Sequence, residues 1–497
     1  MSTSATASTM TTTTATSKPR RPLRRLAAWL SITALTVLSA CATVPTAMPD
    51  PRTMHFAPVS MVEPPIDVVH LDNGITLYML PDRDLPLIRI NAQIRTGTLY
   101  TPDQVDVARF VGAQMRAGGV GDTPPEALDE ALNFGAIVMH SGVGGEMASA
   151  HLDTLTRTFP EALGYFADML RHPRFDAKRL QTSKDAALEG IRRKNDNPAG
   201  IARREFAKLL FGADHPRAHE ATPEGINAIE AEQLRAYHQR QFRPDRVSLG
   251  ITGDFDIDEM RHAIEAAFGD WQAEPLALPS PVKLPTSEVR RVVFAHKPVT
   301  QASVRIGHLS IQRDDPDYYA LQLANRILGA DGFRSRLFNT IRTKHGLAYS
   351  VGSGLSAGHD DRGSFLMAVR TRSEQVGQAI TLMFDEVERL RTEPVPEAEL
   401  EAAKESFLSG FVFKSATAGQ VLSRRMLLDY YHMPVDELEQ LKRETLAVTP
   451  EDILRVAKNH LEPARMSIVA VGDRAQLADA LAPFGTVVEI PLSEPGE

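Results

Sequence analysis

The sequence predicts a mixed α/β (α+β) body built from two copies of one domain. Each copy reads as a mostly antiparallel sheet packed with helices, the two facing each other across a cleft. Three observations lead there. First, the chain repeats itself. Glu232-Gln-Leu-Arg, Phe242-Arg-Pro244-Asp-Arg246-Val-Ser248 and Gly253-Asp254 return as Glu451-Asp-Ile-Leu, Leu461-Glu-Pro463-Ala-Arg465-Met-Ser467 and Gly472-Asp473, always 219 positions later. A fixed offset without a gap marks a duplicated unit. Second, stretches of period 2 alternate with stretches of helical period, as in Ile88, Ile90, Ala92 and Ile94 ahead of the apolar-periodic run after Asp103. Third, Pro275, Pro279, Pro281 and Pro285 interrupt the pattern between Trp271 and Ser287, after which it begins again. At 497 residues the chain is also too long for one core.

The elements follow in order. Asn73-Gly74 between two apolar runs predicts a hairpin over 68–80. A half-buried strand over 88–94 precedes a helix from Asp103 to Met115. A second helix begins at Thr123, with Pro124 at its first position and Glu126 closing a capping box. A short strand covers 137–139. Helices cover 159–170, 176–195, 201–211 and 231–242, and the strand 246–252 closes the first copy. In the second copy we expect a strand at 303–308, helices at 318–328 and 335–344, strands near Tyr349 and over 364–370, and then long helices. The boundaries are 66–272 for the first domain, 273–289 for the linker and 290–492 for the second domain.

The N-terminus is of another kind. Lys18, Arg20, Arg21, Arg24 and Arg25 precede an apolar run, Leu26 to Leu38, which is too short to span a bilayer and right for a signal peptide core. It ends in Leu38-Ser39-Ala40-Cys41, which resembles a bacterial lipoprotein lipobox. Cys41 is the only cysteine in the chain. Residues 1–41 are therefore expected to be a signal peptide with lipobox, with Cys41 lipidated, and the proline-rich stretch 42–65 a tether. Ala42 after the cysteine points to the outer membrane, facing the periplasm, under the lipoprotein sorting rule. Hydrophobic residues make up 43% and charged residues 24% of the chain, and the net charge is −8. That balance argues against a nucleic-acid binder. No thiolate remains for disulfides or metal.

Four stretches carry a family resemblance: LDNGITLYMLPDRDLPLIRI from Leu71, RRKNDNPAG from Arg192, GADHPRAH from Gly212, and GFRSRLFNTIRTKHGLAYSV from Gly332 to Val351. Together they resemble the M16 peptidases, the group of insulysin, pitrilysin and the mitochondrial processing peptidase. The likeness covers about 66–490. In that family an arginine and a tyrosine seven apart bind the substrate carbonyl and stabilise the tetrahedral intermediate. By resemblance those roles fall on Arg342 and Tyr349. A guanidinium and a phenol can both donate to one oxygen.

The resemblance also implies a zinc site, His-x-x-Glu-His, on the first helix. Two imidazoles at i and i+4 share a helix face, and the glutamate between them is the base. Here the positions fall on Arg109 to Ala113 or on Phe110 to Gln114, and neither set contains His or Glu. A further glutamate position falls on Gly190, with Glu189 adjacent. His215 and His219 are four apart, but Pro216 lies between them and we read them as a structural turn. No metal ligand and no cofactor is assigned to this chain.

Three readings follow. In the first, the chain is the non-zinc subunit of a two-chain M16 metalloprotease. It closes the chamber and offers Arg342 and Tyr349 in trans to a partner with an intact HxxEH motif, which carries the zinc and acts on peptide or unfolded protein. The alternative is a catalytically inactive structural or peptide-binding envelope protein. The third is a zinc endopeptidase with an atypical site.

Overall fold

A computed structural model describes residues 64–274, 276–285 and 289–492. The expected signal peptide, Cys41 and nearly all of the tether lie outside the described residues. Two six-stranded sheets organise the rest. The first contains β1 (Asp67–His70), β2 (Thr76–Pro81), β3 (Leu87–Ile94), β4 (Val138–Val143), β5 (Ala148–Leu155) and β6 (Val247–Gly253), in the order β1-β2-β6-β3-β5-β4. The second contains β7 (Val292–His296), β8 (Gln301–Leu309), β9 (Ala348–Leu355), β10 (Ser364–Arg372), β11 (Ser467–Gly472) and β12 (Val487–Glu489), in the order β12-β7-β11-β8-β10-β9. Both sheets are mixed. The β2–β6 pairing is parallel in the first, and β7 runs parallel to β11 and β12 in the second.

The first half carries α1 (Val105–Ala117), α2 (Pro125–Gly135), α3 (Phe159–Arg171), α4 (Ala177–Arg192), α5 (Pro198–Phe211), α6 (Pro223–Asn227), α7 (Ala231–Gln241) and α8 (Ile257–Phe268). The second carries α9 (Tyr318–Asn325), α10 (Val376–Thr392), α11 (Glu397–Val412), α12 (Ala418–Tyr430), α13 (Glu437–Ala447), α14 (Pro450–His460) and α15 (Arg474–Leu481). The repeat seen in the sequence is a repeat of structure. Helix α7 maps residue for residue onto α14, and the turn Pro244–Arg246 onto Pro463–Arg465. Ile251 pairs with Ile90 where Ala470, 219 positions on, pairs with Val304. The starts of α7 and α14 are both closed by capping boxes, Glu230 with Gln233 and Thr449 with Asp452.

Each sheet buries one face against its own helices. Ile90, Leu152 and Ile251 meet Met115 and Phe166 in the first core, and Val304, Phe365 and Met367 meet Ile380 and Val456 in the second. The other faces are covered by exchange. From the first half, α5 lays Ile201, Ala202, Phe206 and Leu210 on Val293, Ala295, Val469 and Val471 of the second sheet. Its counterpart α12 lays Val421, Leu422 and Met426 on Tyr78 and Leu80 of the first. Gly250 makes room for this, since a Cβ there would lie 2.3 Å from Met426 Sδ. The described residues thus form one compact unit rather than two bodies meeting only across a cleft. The cleft survives as a cavity of about 940 Å³ between the halves, lined among others by Arg95, Tyr100, Arg313, His359, Tyr430 and Tyr431. Arg342 and Tyr349 are not part of its lining.

Several elements differ from expectation. Helix α2 starts at Pro125, with Pro124 in the cap position and no side-chain cap. Thr123 instead closes a small bridge with Val120, so the Thr123–Glu126 capping box does not form. The strand expected at 137–139 runs on to Val143. Strand β5 and helix α8 carry no expectation in the sequence reading. In β5 two of the inward positions are Ala148 and Ala150, so its alternation is faint.

Candidate functional site

The second-copy signature folds as a turn, a short wide helix and a strand start. Residues Phe338–Lys344 wind as a π-helix, with His345 N donating to Thr340 O at 3.2 Å and Leu347 N to Ile341 O at 2.9 Å. Such wide turns recur at functional positions. Ile341 and Leu347 are buried and pin the segment to the core. Gly346, at φ +62°, then releases the chain into β9. Along β9 the ladder to β10 slips: Arg370 pairs with Ser350, but Thr371 pairs with Ala348. Tyr349 is the extra residue of this bulge. A bulge turns its residue out of the pleat, and Tyr349 is 81% exposed.

Arg342 comes to it from the helix. Its Nη1 donates to the Tyr349 carbonyl at 3.1 Å, and its guanidinium carbon lies 4.4 Å from the Tyr349 ring centre and 4.8 Å from that of Phe338. Stacking on two rings holds the plane of the guanidinium without a counter-charge. Among the described residues no carboxylate pairs with Arg342, and the Tyr349 hydroxyl has no hydrogen-bond partner. Arg342 thus rests on rings rather than on an acid, and Tyr349 stands outside the packed sheet. Arg336 does take a structural place. It grips Glu399 with two bonds, at 2.9 and 2.6 Å, and ties the start of this helix to α11.

The zinc positions on α1 are used for packing. Phe110 is in the first core. Gly112 lies so close to β4 that a Cβ would stand 2.4 Å from Val143 N, and Ser141 Oγ donates to its carbonyl at 2.7 Å. Gln114 is fully buried, and its Nε2 donates to Ser183 Oγ of α4 at 2.7 Å. Arg109 is turned outward, 3.9 Å from Asp106. On α4, Gly190 has open space around it, and Glu189 is engaged by Arg192 at 2.9 Å. This donor set does not fit a zinc ion. An amide, a glycine and an aromatic ring supply no carboxylate or imidazole.

The remaining histidines do not compensate. His215 is buried, its Nδ1 accepting from Arg217 N at 3.1 Å, and burial pushes its imidazole below the usual range. His219 Nε2 donates to Asp106 Oδ2 at 2.9 Å. The two rings therefore serve different partners. Asp315, Asp317 and His460 cluster among the described residues, but Asp317 is already held by Arg455 at 2.6 Å and His460 at 2.7 Å.

Residues 228–407 match the profile described as Peptidase M16 inactive domain. A solved peptidase M16 inactive domain from Pseudomonas fluorescens superposes with a TM-score of 0.72 at 26% identity, over 82% of this chain and 98% of that one. Over residues 228–407 the chain belongs to the Peptidase M16 inactive domain family. The family chain is also 26% identical to an uncharacterized zinc protease of Streptomyces coelicolor, over 68% of this chain and 78% of the relative. The periplasmic protease PqqL of Escherichia coli shares the fold at a TM-score of 0.70 and 18% identity, over 86% of this chain and 47% of PqqL.

In this chain, then, the fold brings Arg342 and Tyr349 together and leaves residues 109–114 apart from them. No described hydrogen bond, ion pair or ring contact joins the two places. Sequence reading missed the bulge, because register slips leave no mark in one strand. It also missed Arg305 and Arg370, charged positions inside strands whose alternate residues are apolar. That alternation was the available signal.

Proposed function

We propose that this chain is the non-zinc subunit of a two-chain M16 peptidase. It contributes Arg342 and Tyr349 to a site whose metal and base come from a partner with intact HxxEH. The observation that carries the reading is the Arg342–Tyr349 pair itself, stacked at 4.4 Å, with the phenol exposed and no acid among the described residues neutralising the guanidinium. Such a pair is free to donate to a substrate carbonyl from outside the chain. The remaining guanidinium N–H groups and the tyrosine O–H are the donors; they orient the peptide and stabilise negative charge developing on its oxygen. The family match to the inactive domain supports the same division of labour, and so does the packing use of the zinc positions. A lipid on Cys41 would hold this body at the periplasmic face of the outer membrane, close to unfolded envelope proteins.

The test is reconstitution with an HxxEH-bearing M16 chain. Tyr349→Phe should lower kcat/KM of the mixture about a hundredfold, the scale of losing one oxyanion donor, without changing co-elution. Unchanged activity sinks the reading. A peptide-binding protein without proteolysis is the second reading, favoured by the lack of His and Glu at positions 109–114. Inactivity in every mixture, with peptide binding retained, selects it.

A further inference from the structure

The outer face of the second sheet is only partly covered. Helix α5 closes the columns of β7 and β11 through Val293, Ala295, Val469 and Val471. The same helix also lies along β8, where Leu309 joins its apolar cluster, and past β8 the face continues across β10 and β9 without a covering helix among the described residues. Register identifies its residues: Val469 pairs with Arg305, Arg305 with Ala368, and Ala368 with Gly352. One step along, Ser303 pairs with Arg370, and Arg370 with Ser350, the neighbour of Tyr349. Paired residues project from the same side, with diagonal neighbours roughly 7–8 Å apart. Arg305 and Arg370 are such diagonal neighbours. The positions between them and towards β9 are Ala368, Ser303, Gly352 and Ser350, so on that side the guanidinium groups stand over a low floor.

We propose that this face binds the acidic side chains of an extended peptide through Arg305 and Arg370, with Arg203 of α5 at its border. The proposal deepens the function above by naming the substrate's chemistry, and rests on that reading only for placing the peptide backbone at Arg342 and Tyr349.

Charge carries the argument. The chain is acidic overall, and its half-buried arginines are typically satisfied, as Arg313 is by Glu437 at 2.7 Å and Arg336 by Glu399 at 2.6 Å. Among the described residues, the guanidinium groups of Arg203, Arg305 and Arg370 have neither an ion pair nor a hydrogen bond. Burial, and then Arg203 beside it, push the Arg305 guanidinium below the usual arginine range, and no carboxylate offsets them. A partly desolvated cation beside a like charge is unfavourable until an anion arrives. A carboxylate answers both needs, because it accepts two parallel N–H bonds from a guanidinium. Continuity favours a peptide as its bearer: the face ends at β9, the edge strand of the sheet, whose Ser350 is next to the exposed Tyr349.

The test uses the complete chain alone, without a peptidase partner. Short labelled peptides differing only in Glu or Gln are titrated by fluorescence anisotropy. The Glu peptide should bind about tenfold more tightly, the scale of one or two charge-assisted bonds, and high salt should shrink the advantage. Arg370→Gln, on an exposed side chain, should cut the preference, and adding Arg305→Gln should remove it, with unchanged thermal unfolding of Arg370→Gln as the folding control. Absence of binding, equal affinities, or a preference that survives both substitutions overturns the proposal. Tyr349→Phe should leave the Glu-to-Gln ratio intact. Loss of the reconstituted activity's dependence on Tyr349 would therefore sink the functional reading and leave this one standing.

Discussion

The guanidinium of Arg342 lies over the ring of Tyr349 at 4.4 Å and bonds to that residue's own carbonyl at 3.1 Å. The pair is joined by geometry rather than charge, so a change of shape at constant charge is the informative one. Arg342→Lys keeps the cation but loses the plane and the fork. The activity of a reconstituted complex should fall at least about tenfold, while the melting temperature of the chain stays within a degree or so. A Lys variant with full activity would show that only charge matters at this position.

Exchange of α5 and α12 makes the two halves one folding unit. Met426→Ala should cost about 3 kcal/mol, as should Phe206→Ala on the opposite exchange, from lost burial plus the cavity left behind. Calorimetry should show one transition in the native protein, lowered as a whole by either change. Two separated transitions would mean that the halves unfold independently.

His238 gives stability a defined pH dependence. Burial pushes its imidazole down to about 4, where Nε2 meets Leu170 O at 3.0 Å and the ring stacks on Phe242. The unfolded chain binds this proton near 6.5, so the unfolded state takes up protons first as pH falls. The contribution is complete above pH about 6.5 and is lost down to about 4. Denaturant titrations of His238→Gln should show a flatter pH profile through this window; an unchanged slope would remove His238 as its source.

Glu220 acts lower on the scale. Burial would raise its carboxyl, but hydrogen bonds from Lys194 and Lys208, with Arg204 nearby, outweigh burial and hold it at about 2. Its stabilisation is present above about 4.5 and is lost as pH falls towards 2. Glu220→Gln should lower the melting temperature at neutral pH and converge with the wild type in strong acid. A difference that persists at pH 2 would contradict this.

The packing of α1 makes a metal prediction. Purified chain should carry no stoichiometric zinc, and a chelator should leave its thermal unfolding unchanged. One tightly bound zinc per chain would revive the atypical-site reading.

Much of this was legible in the sequence, and the reasons are local. The 219-residue offset survives because Pro244 and Pro463, like Gly253 and Gly472, occupy equivalent backbone positions. The pairing of Arg342 with Tyr349 is legible because seven residues of helix end, glycine stop and strand start leave the chain few paths. The vacancy at 109–114 is a matter of chemistry alone: no His or Glu is there to ligate. Tertiary structure decided the rest, because it depends on contacts distant in sequence. The slip between Arg370 and Thr371 turns Tyr349 outward. The exchange of α5 and α12 covers β11 and β8 but leaves β10 and β9 open, and so sets Arg305, at the border of α5, beside Arg370 on the open part of the face. Strand register and helix exchange follow from packing between segments more than a hundred residues apart, which no local pattern encodes.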